Sequence, residues 1–221
     1  MKIYIVGGDE SYASWISTAE LVDTISESDL VLFTGGEDVS PSIYGEPTGS
    51  KTHCNAARDK YEIQKFRDAL TQRRKILSIC RGSQLMCALA GGRLIQHVTN
   101  HAKYGTHSVT FSTGEEVNLT STHHQMMFPF NLNHDKYKLL AWSTEKLSDT
   151  YLNGQDKEKN ELLYELSPSL KESKYFKEPE IVYFRDIKAL AIQAHPEIMH
   201  SETEGRKKCL ELVNSLMNNT L

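Results

Sequence analysis

No sign of charge dominates this sequence, no hydrophobic run is long, and cysteine is sparse. Twenty-five Lys and Arg face twenty-nine Asp and Glu, a net charge of −4 with the nine His neutral. That balance excludes a nucleic-acid coat or a membrane-surface binder, because neither charged partner would be attracted overall. No segment approaches the roughly 18–20 apolar residues of a spanning helix. The apolar start, Ile3-Tyr4-Ile5-Val6, gives way to Asp9 and Glu10 before it could form a signal-peptide core. Cys54, Cys80, Cys87 and Cys209 are the four cysteines, and none forms a C-x-x-C pair. A disulfide framework is not expected in such a chain. The expectation is a cytoplasmic protein with free thiols, at least one of them chemically available. Internal repeats, low-complexity tracts and a G-x-x-x-x-G-K-[ST] phosphate loop are also missing. What 221 residues with 39% hydrophobic and 24% charged content do support is a folded core.

The residues that are present alternate in kind. Residues 2–6 are β-branched and aromatic and end at Gly7-Gly8, which predicts a strand. Tyr12, Trp15, Ala19, Val22 and Ile25 recur at helical spacing and predict a helix over 12–25. A buried strand is predicted at 29–34, a Gly-, Pro- and Ser-rich loop at 35–50, and an amphipathic helix at 58–73. A second buried strand at 75–79 runs directly into a helix at 80–90 that stops at Gly91-Gly92. Alternation of this kind predicts an α/β fold, with a mostly parallel central sheet and helices on both faces. The later part is richer in strands, at 107–111, 116–119, 138–142, 180–184 and 189–193, and closes on a helix at 202–217. Residues 146–179 break the rhythm. They read either as a surface elaboration or as a lid or docking element.

Cys80 is the most informative residue. It follows a buried strand and precedes a helix, and in α/β sheets ligands bind outside the carboxyl ends of the strands. The helix N-terminus would favour its thiolate, and the small Ser78 and Gly82 suit a tight nucleophile turn. A small core cysteine is the other reading, and it is the one that Cys54, Cys87 and Cys209 keep. A thiol nucleophile needs a base and the base an orienting group. His195 and Glu197, flanking Pro196 at the end of the last strand, can supply both. Taken alone, the same tripeptide also reads as an ordinary loop.

Six blocks in order now resemble one family. They are Gly35-Gly36-Glu37-Asp38-Val39-Ser40-Pro41 with Tyr44-Gly45-Glu46, Arg58-Asp59 with Glu62, Cys80-Arg81-Gly82-Ser83-Gln84, Gly91-Gly92, Ser121-Thr122-His123-His124-Gln125, and Gln193-Ala194-His195-Pro196-Glu197. The sequence resembles the class I (triad) glutamine amidotransferases, in the peptidase C26-like branch that includes γ-glutamyl hydrolases and γ-glutamyl-GABA hydrolases. The usual glycine two residues before the cysteine is Ser78 here, and Arg81 matches the hydrolase-like branch better than the synthetase-linked glutaminases.

The resemblance implies a three-layer, flavodoxin-like sandwich in one domain over 1–221, with a small strand-rich extension and an insertion at about 146–179. It implies hydrolysis of a γ-glutamyl amide through a γ-glutamyl thioester on Cys80, with His195 as base and acid and Glu197 as its orienting partner. Oxyanion donors would come from Gly35, Gly36 and Arg81. Gln84, Ser121, His123 and His124 match positions lining the glutamyl pocket. The chemistry calls for no cofactor and no metal. Adjacent His123 and His124 on an extended segment would point apart, with no carboxylate-rich signature beside them. His53, His97, His101 and His107 read as surface or hydrogen-bonded structural residues. Arg58, Asp59 and Glu62 read as an exposed charge cluster at a helix start, while the resemblance hints at a supporting role behind the site. The substrate would be a small γ-glutamyl molecule. A stand-alone hydrolase, a glutaminase subunit feeding ammonia to a separate synthetase chain, and a non-catalytic binding relative are the three functional readings.

Overall fold

The computed structural model describes residues 1–154 and 176–221, apart from the side chains of residues 103 and 104. Four short apolar segments build its centre: β1 (Lys2–Val6), β3 (Leu30–Phe33), β4 (Lys75–Ile79) and β13 (Ala189–Ile192). Their side chains alternate between two cores, as a pleated strand requires. Leu30, Leu32, Leu190 and Ile192 point to one face of the sheet, and Val31, Phe33, Ala189 and Ala191 to the other. Both faces are therefore apolar, which is why these strands read as continuous hydrophobic runs.

With β2 (Glu20–Leu21) at the edge, these strands form the parallel half of a mixed sheet. Four antiparallel strands continue it: β12 (Pro179–Phe184), β10 (Tyr137–Ser143), β7 (Ala102–Phe111) and β8 (Glu116–Thr122). The order is β2-β1-β3-β4-β13-β12-β10-β7-β8, nine strands among the described residues. Two small ribbons lie outside it, β5 (Arg93–Ile95) with β9 (Met126–Phe128) and β6 (His97–Val98) with β11 (Tyr151–Leu152).

Helices α1 (Ala56–Thr71) and α2 (Arg81–Leu89) bury Phe66, Ala69, Leu85, Met86 and Cys87 against one face. Helix α3 (Glu204–Asn218) buries Cys209, Val213 and Leu216 against the other. The result is the α/β three-layer arrangement that the alternating sequence implies. Asn55 starts α1 by accepting a hydrogen bond from the Arg58 backbone N–H at 3.2 Å.

The helix expected over 12–25 is absent. In its place are a 3-10 turn at Glu10–Ala13, the two-residue strand β2 and a second turn at Ile25–Glu27. Serines divert this backbone. Ser11 Oγ donates to Asp9, and Ser14 Oγ donates to the Ser11 carbonyl at 2.7 Å, competing with helical bonds. Ala13, Trp15 and Ile16 are still buried in the α3-side core, so one-sided burial produced the spacing without a helix. The segment expected as an insertion, at about 146–179, lies largely outside the described residues. Its described ends are anchored: Phe176 packs on Phe128, Phe130 and Tyr151, and Glu178 is buried.

Candidate active site

Strands β3, β4 and β13 are neighbours and parallel, so their carboxyl ends open on one edge. Thr34-Gly35-Gly36 follows β3, Cys80 follows β4, and Gln193 to Glu197 follows β13. Three segments distant in sequence thus meet at one place, as expected of an open α/β sheet.

Cys80 sits on the turn between β4 and α2 with φ 50° and ψ −110°. A non-glycine residue there is strained by about 1–3 kcal/mol. The Cys80 backbone N–H donates to the Ile192 carbonyl at 2.8 Å, and the Gly82 N–H donates to the Thr34 carbonyl at 3.1 Å. Gly82 has to be glycine, because a Cβ there would lie 2.5 Å from the Phe33 carbonyl oxygen. Ser78 is tolerated at the position usually held by glycine because it is buried and donates to the Leu190 carbonyl at 3.2 Å.

His195 Nδ1 lies 2.6 Å from Glu197 Oε1. That commitment leaves Nε2 for Cys80. Burial opposes charge on this imidazole, but the hydrogen bonds to Cys80 and Glu197 and their negative charges outweigh it, and its pKa is pushed up to about 10. The His195 backbone N–H donates to Thr120 Oγ1 at 2.8 Å, tying the turn to β8. Gly35 packs against both groups, since a Cβ on it would stand 3.0 Å from His195 Cε1 and 3.6 Å from Cys80 Cβ. Gly36 has φ 142°, a left-handed conformation that favours glycine.

Arg58, Asp59 and Glu62 are not an exposed cluster. Asp59 and Glu62 are buried, and so is Arg81. Arg81 forms ion pairs with Asp59 and Glu62, Arg58 Nε donates to Glu62 at 2.8 Å, and Arg58 Nη2 donates to the Gly35 carbonyl at 2.6 Å. One turn of α1 therefore joins the glycine loop to the residue that follows Cys80. The amphipathic pattern concealed this, because charged residues on a helix normally face water.

A pocket of about 210 Å³ opens in front of Cys80, walled by Gly36, Asp38, Gln84, His123, His124 and Gln125. Larger depressions lie along α1 and between β8 and α3, but no cysteine lines either. Gln84 Nε2 donates to the Gln125 carbonyl at 3.1 Å. His124 Nε2 lies 2.9 Å from Asp38 Oδ1. His123 turns inward, its Nδ1 at 2.8 Å from the Gln125 carbonyl, and burial holds its pKa below the ordinary value. Ser121 does not join the pocket wall. Its hydroxyl donates to the His101 carbonyl at 2.6 Å beneath the pocket, and Thr122 faces the pocket instead.

Sequence reasoning missed Tyr12. Its ring centroid is 6.4 Å from that of His195, and its hydroxyl stands close to Gly35. Burial, then Glu197 and Cys80, raise its pKa. Assignment of the segment to a helix hid it, and nothing in the local sequence marks it.

A strained cysteine turn facing a histidine–carboxylate pair, at the strand ends of an α/β sheet, sets a thiol beside a base and the group that orients it. A glutamine amidotransferase from Thermotoga maritima shares the fold, with a TM-score of 0.55 and 14% identity over 100% of this chain and 90% of that one. The peptidase C26 family model matches residues 15–135. The protein NtpR of Enterococcus hirae is 31% identical over 182 residues, 80% of this chain and 70% of NtpR. The glutamine amidotransferase-like protein YvdE of Lactococcus lactis is 33% identical over 108 residues, 48% of this chain and 44% of YvdE. The chain belongs to the peptidase C26 family.

Proposed function

We propose that this protein hydrolyses a γ-glutamyl amide, glutamine or a γ-glutamyl amine, by cysteine catalysis. The observation that carries this reading is the strained Cys80 turn facing His195, whose Nδ1 is held 2.6 Å from Glu197. In the reaction, the Cys80 sulfur attacks the amide carbon and the carbonyl oxygen becomes an oxyanion. Backbone N–H groups of Arg81 and of Gly35-Gly36 are its donors, and loss of one such donor typically costs about 10²–10³-fold in rate. His195 Nε2 protonates the leaving nitrogen as the C–N bond breaks, which leaves a γ-glutamyl thioester. The same nitrogen then takes a proton from water as the water attacks the thioester. Glutamate leaves, and Cys80 regains its starting state. Glu197 stabilises the imidazolium without accepting its proton. Asp38, Gln84, His123 and His124 wall the space for the glutamyl end, and acidic Asp38 suits an α-ammonium group.

The test is release of ammonia from glutamine, and of amine from γ-glutamyl amides, by the purified chain. Turnover without a partner supports the hydrolase. Silence that a synthetase partner relieves supports the second reading, a glutaminase subunit, because docking often completes such sites.

A further inference from the structure

Behind the pocket wall lies a group of buried ionisable side chains of which His123 alone also lines the pocket. Glu180, on β12, is fully buried, and three imidazoles converge on its Oε1. His107 Nε2 is 3.0 Å away, His101 Nδ1 3.5 Å and His123 Nε2 3.6 Å. Glu178, two residues earlier, is also buried but saturated. It meets His101 Nε2 at 3.0 Å and accepts from Leu147 N at 2.8 Å, Ser148 N at 2.9 Å and Tyr151 OH at 2.7 Å. Glu180 has no such set. Among the described residues, neither of its oxygens, nor His123 Nε2, nor either nitrogen of His107 makes a well-aligned hydrogen bond.

The positions of the protons decide what these atoms can be. A carbonyl only accepts, so His123 Nδ1, 2.8 Å from the Gln125 carbonyl, carries the hydrogen. Neutral His123 therefore aims the lone pair of Nε2 at Glu180. His101 stands between the two carboxylates, its Nε2 3.0 Å from Glu178 and its Nδ1 3.5 Å from both Glu180 and the Ser121 hydroxyl. A lone pair directed at a carboxylate oxygen repels it. The separations of 3.5 and 3.6 Å exceed the usual 2.7–3.2 Å of an N–H···O bond. They are close to the edge, about 3.3–3.6 Å, of a tetrahedron with ligand bonds of about 2.0–2.2 Å, while all three ligand atoms lie within 4.8 Å of one another. A cation at the centre would turn this repulsion into coordination and would add to the charge balance that His107, 3.0 Å from Glu180 Oε1, already provides.

We propose that His101 Nδ1, His123 Nε2 and Glu180 Oε1 hold a divalent cation of the zinc class. His101, His123 and Glu180 bring their ligand atoms within 4.8 Å of one another, all three buried. Imidazole and carboxylate donors suit zinc. The outer partners are those that orient metal-bound histidines: Glu178 behind His101 and the Gln125 carbonyl behind His123. The sequence pointed away from a metal because no carboxylate accompanies His123-His124-Gln125 locally. The sheet supplies it from β12. The cation would tie β7, β8 and β12 together behind the Thr122–Gln125 wall, a structural task separate from the reaction.

Metal analysis by plasma mass spectrometry tests this on the full chain, expressed with added zinc and purified without chelator. About one equivalent of zinc is expected in the native protein and in His97→Ala, and about one tenth or less in His123→Gln and Glu180→Gln. Should those variants fail to fold, native protein stripped with a chelator is titrated with zinc and with cobalt. Stoichiometric uptake, tetrahedral cobalt absorption bands and a melting temperature higher by about 5 °C would support the site. Native protein that carries no divalent metal and neither takes up zinc nor gains stability from it would overturn it. Equal zinc in all variants would overturn it too. Metal content is read without substrate, so this result stands apart from that of the hydrolysis assay.

Discussion

At the scale of single residues, the four thiols have different fates. Cys87 and Cys209 are buried in the two cores, and burial pushes each thiol up to about 12, where it is inert at neutral pH. Cys80 alone meets a histidine. A glutamine-like diazo-ketone is therefore expected to label Cys80, and Cys80→Ala to lose both labelling and turnover while staying folded. Peptide mapping that finds the label on exposed Cys54 would defeat the assignment. His195 gives a pH signature. Its folded pKa of about 10 exceeds its ordinary value of 6.5. The protonated imidazole thus contributes stability that is complete below about pH 6.5 and lost as pH rises through about 10. The ring should titrate near 10 by NMR, and markedly lower in Cys80→Ala. An unchanged midpoint would mean that the thiol does not hold the proton. Glu197→Gln should slow turnover less than His195→Ala, because an orienting carboxylate supports the base without replacing it. Equal losses in kcat would assign Glu197 a further task.

At the scale of elements, α1 acts as a brace. Glu62 pairs with both Arg58 and Arg81, and none of its side chain reaches solvent. Glu62→Gln leaves buried guanidinium charge short of a partner, and about 3–5 kcal/mol of stability should be lost. Urea unfolding that finds less than about 1 kcal/mol would show that the network is not needed for the fold. The strands were legible because apolar runs bounded by glycine have few alternatives, as at 30–33 and 75–79. The segment at 12–25 was not, because Ser11 and Ser14 bond locally while Trp15 and Ile16 are buried without a helix. The burial of Asp59 and Glu62 was hidden from the helical pattern, and only the family resemblance hinted at a supporting role. A period of charge does not reveal that a guanidinium from another helix waits across it.

At the scale of the molecule, the two halves of the sheet divide the labour. The parallel half brings the glycine loop, Cys80 and His195 to one edge. The antiparallel half supplies the pocket wall through residues 122–125 and, behind it, the histidines around Glu180. Cys80, His195 and Glu197 were legible as candidates mainly through the ordered blocks of family resemblance, and the structure brings them together at neighbouring strand ends. Tyr12 and Glu180 were not, since their importance lies in neighbours contributed by distant strands. Among the described residues no helix is long and apolar enough to cross a membrane. The central claim is that Cys80 carries a γ-glutamyl thioester. Rapid acid quenching with a γ-glutamyl amide, followed by intact-mass and peptide analysis, tests it most directly. The account expects an added glutamyl group on the peptide containing Cys80, labile to hydroxylamine and absent from Cys80→Ala. Amide turnover with no such adduct, or an adduct on another residue, would contradict it.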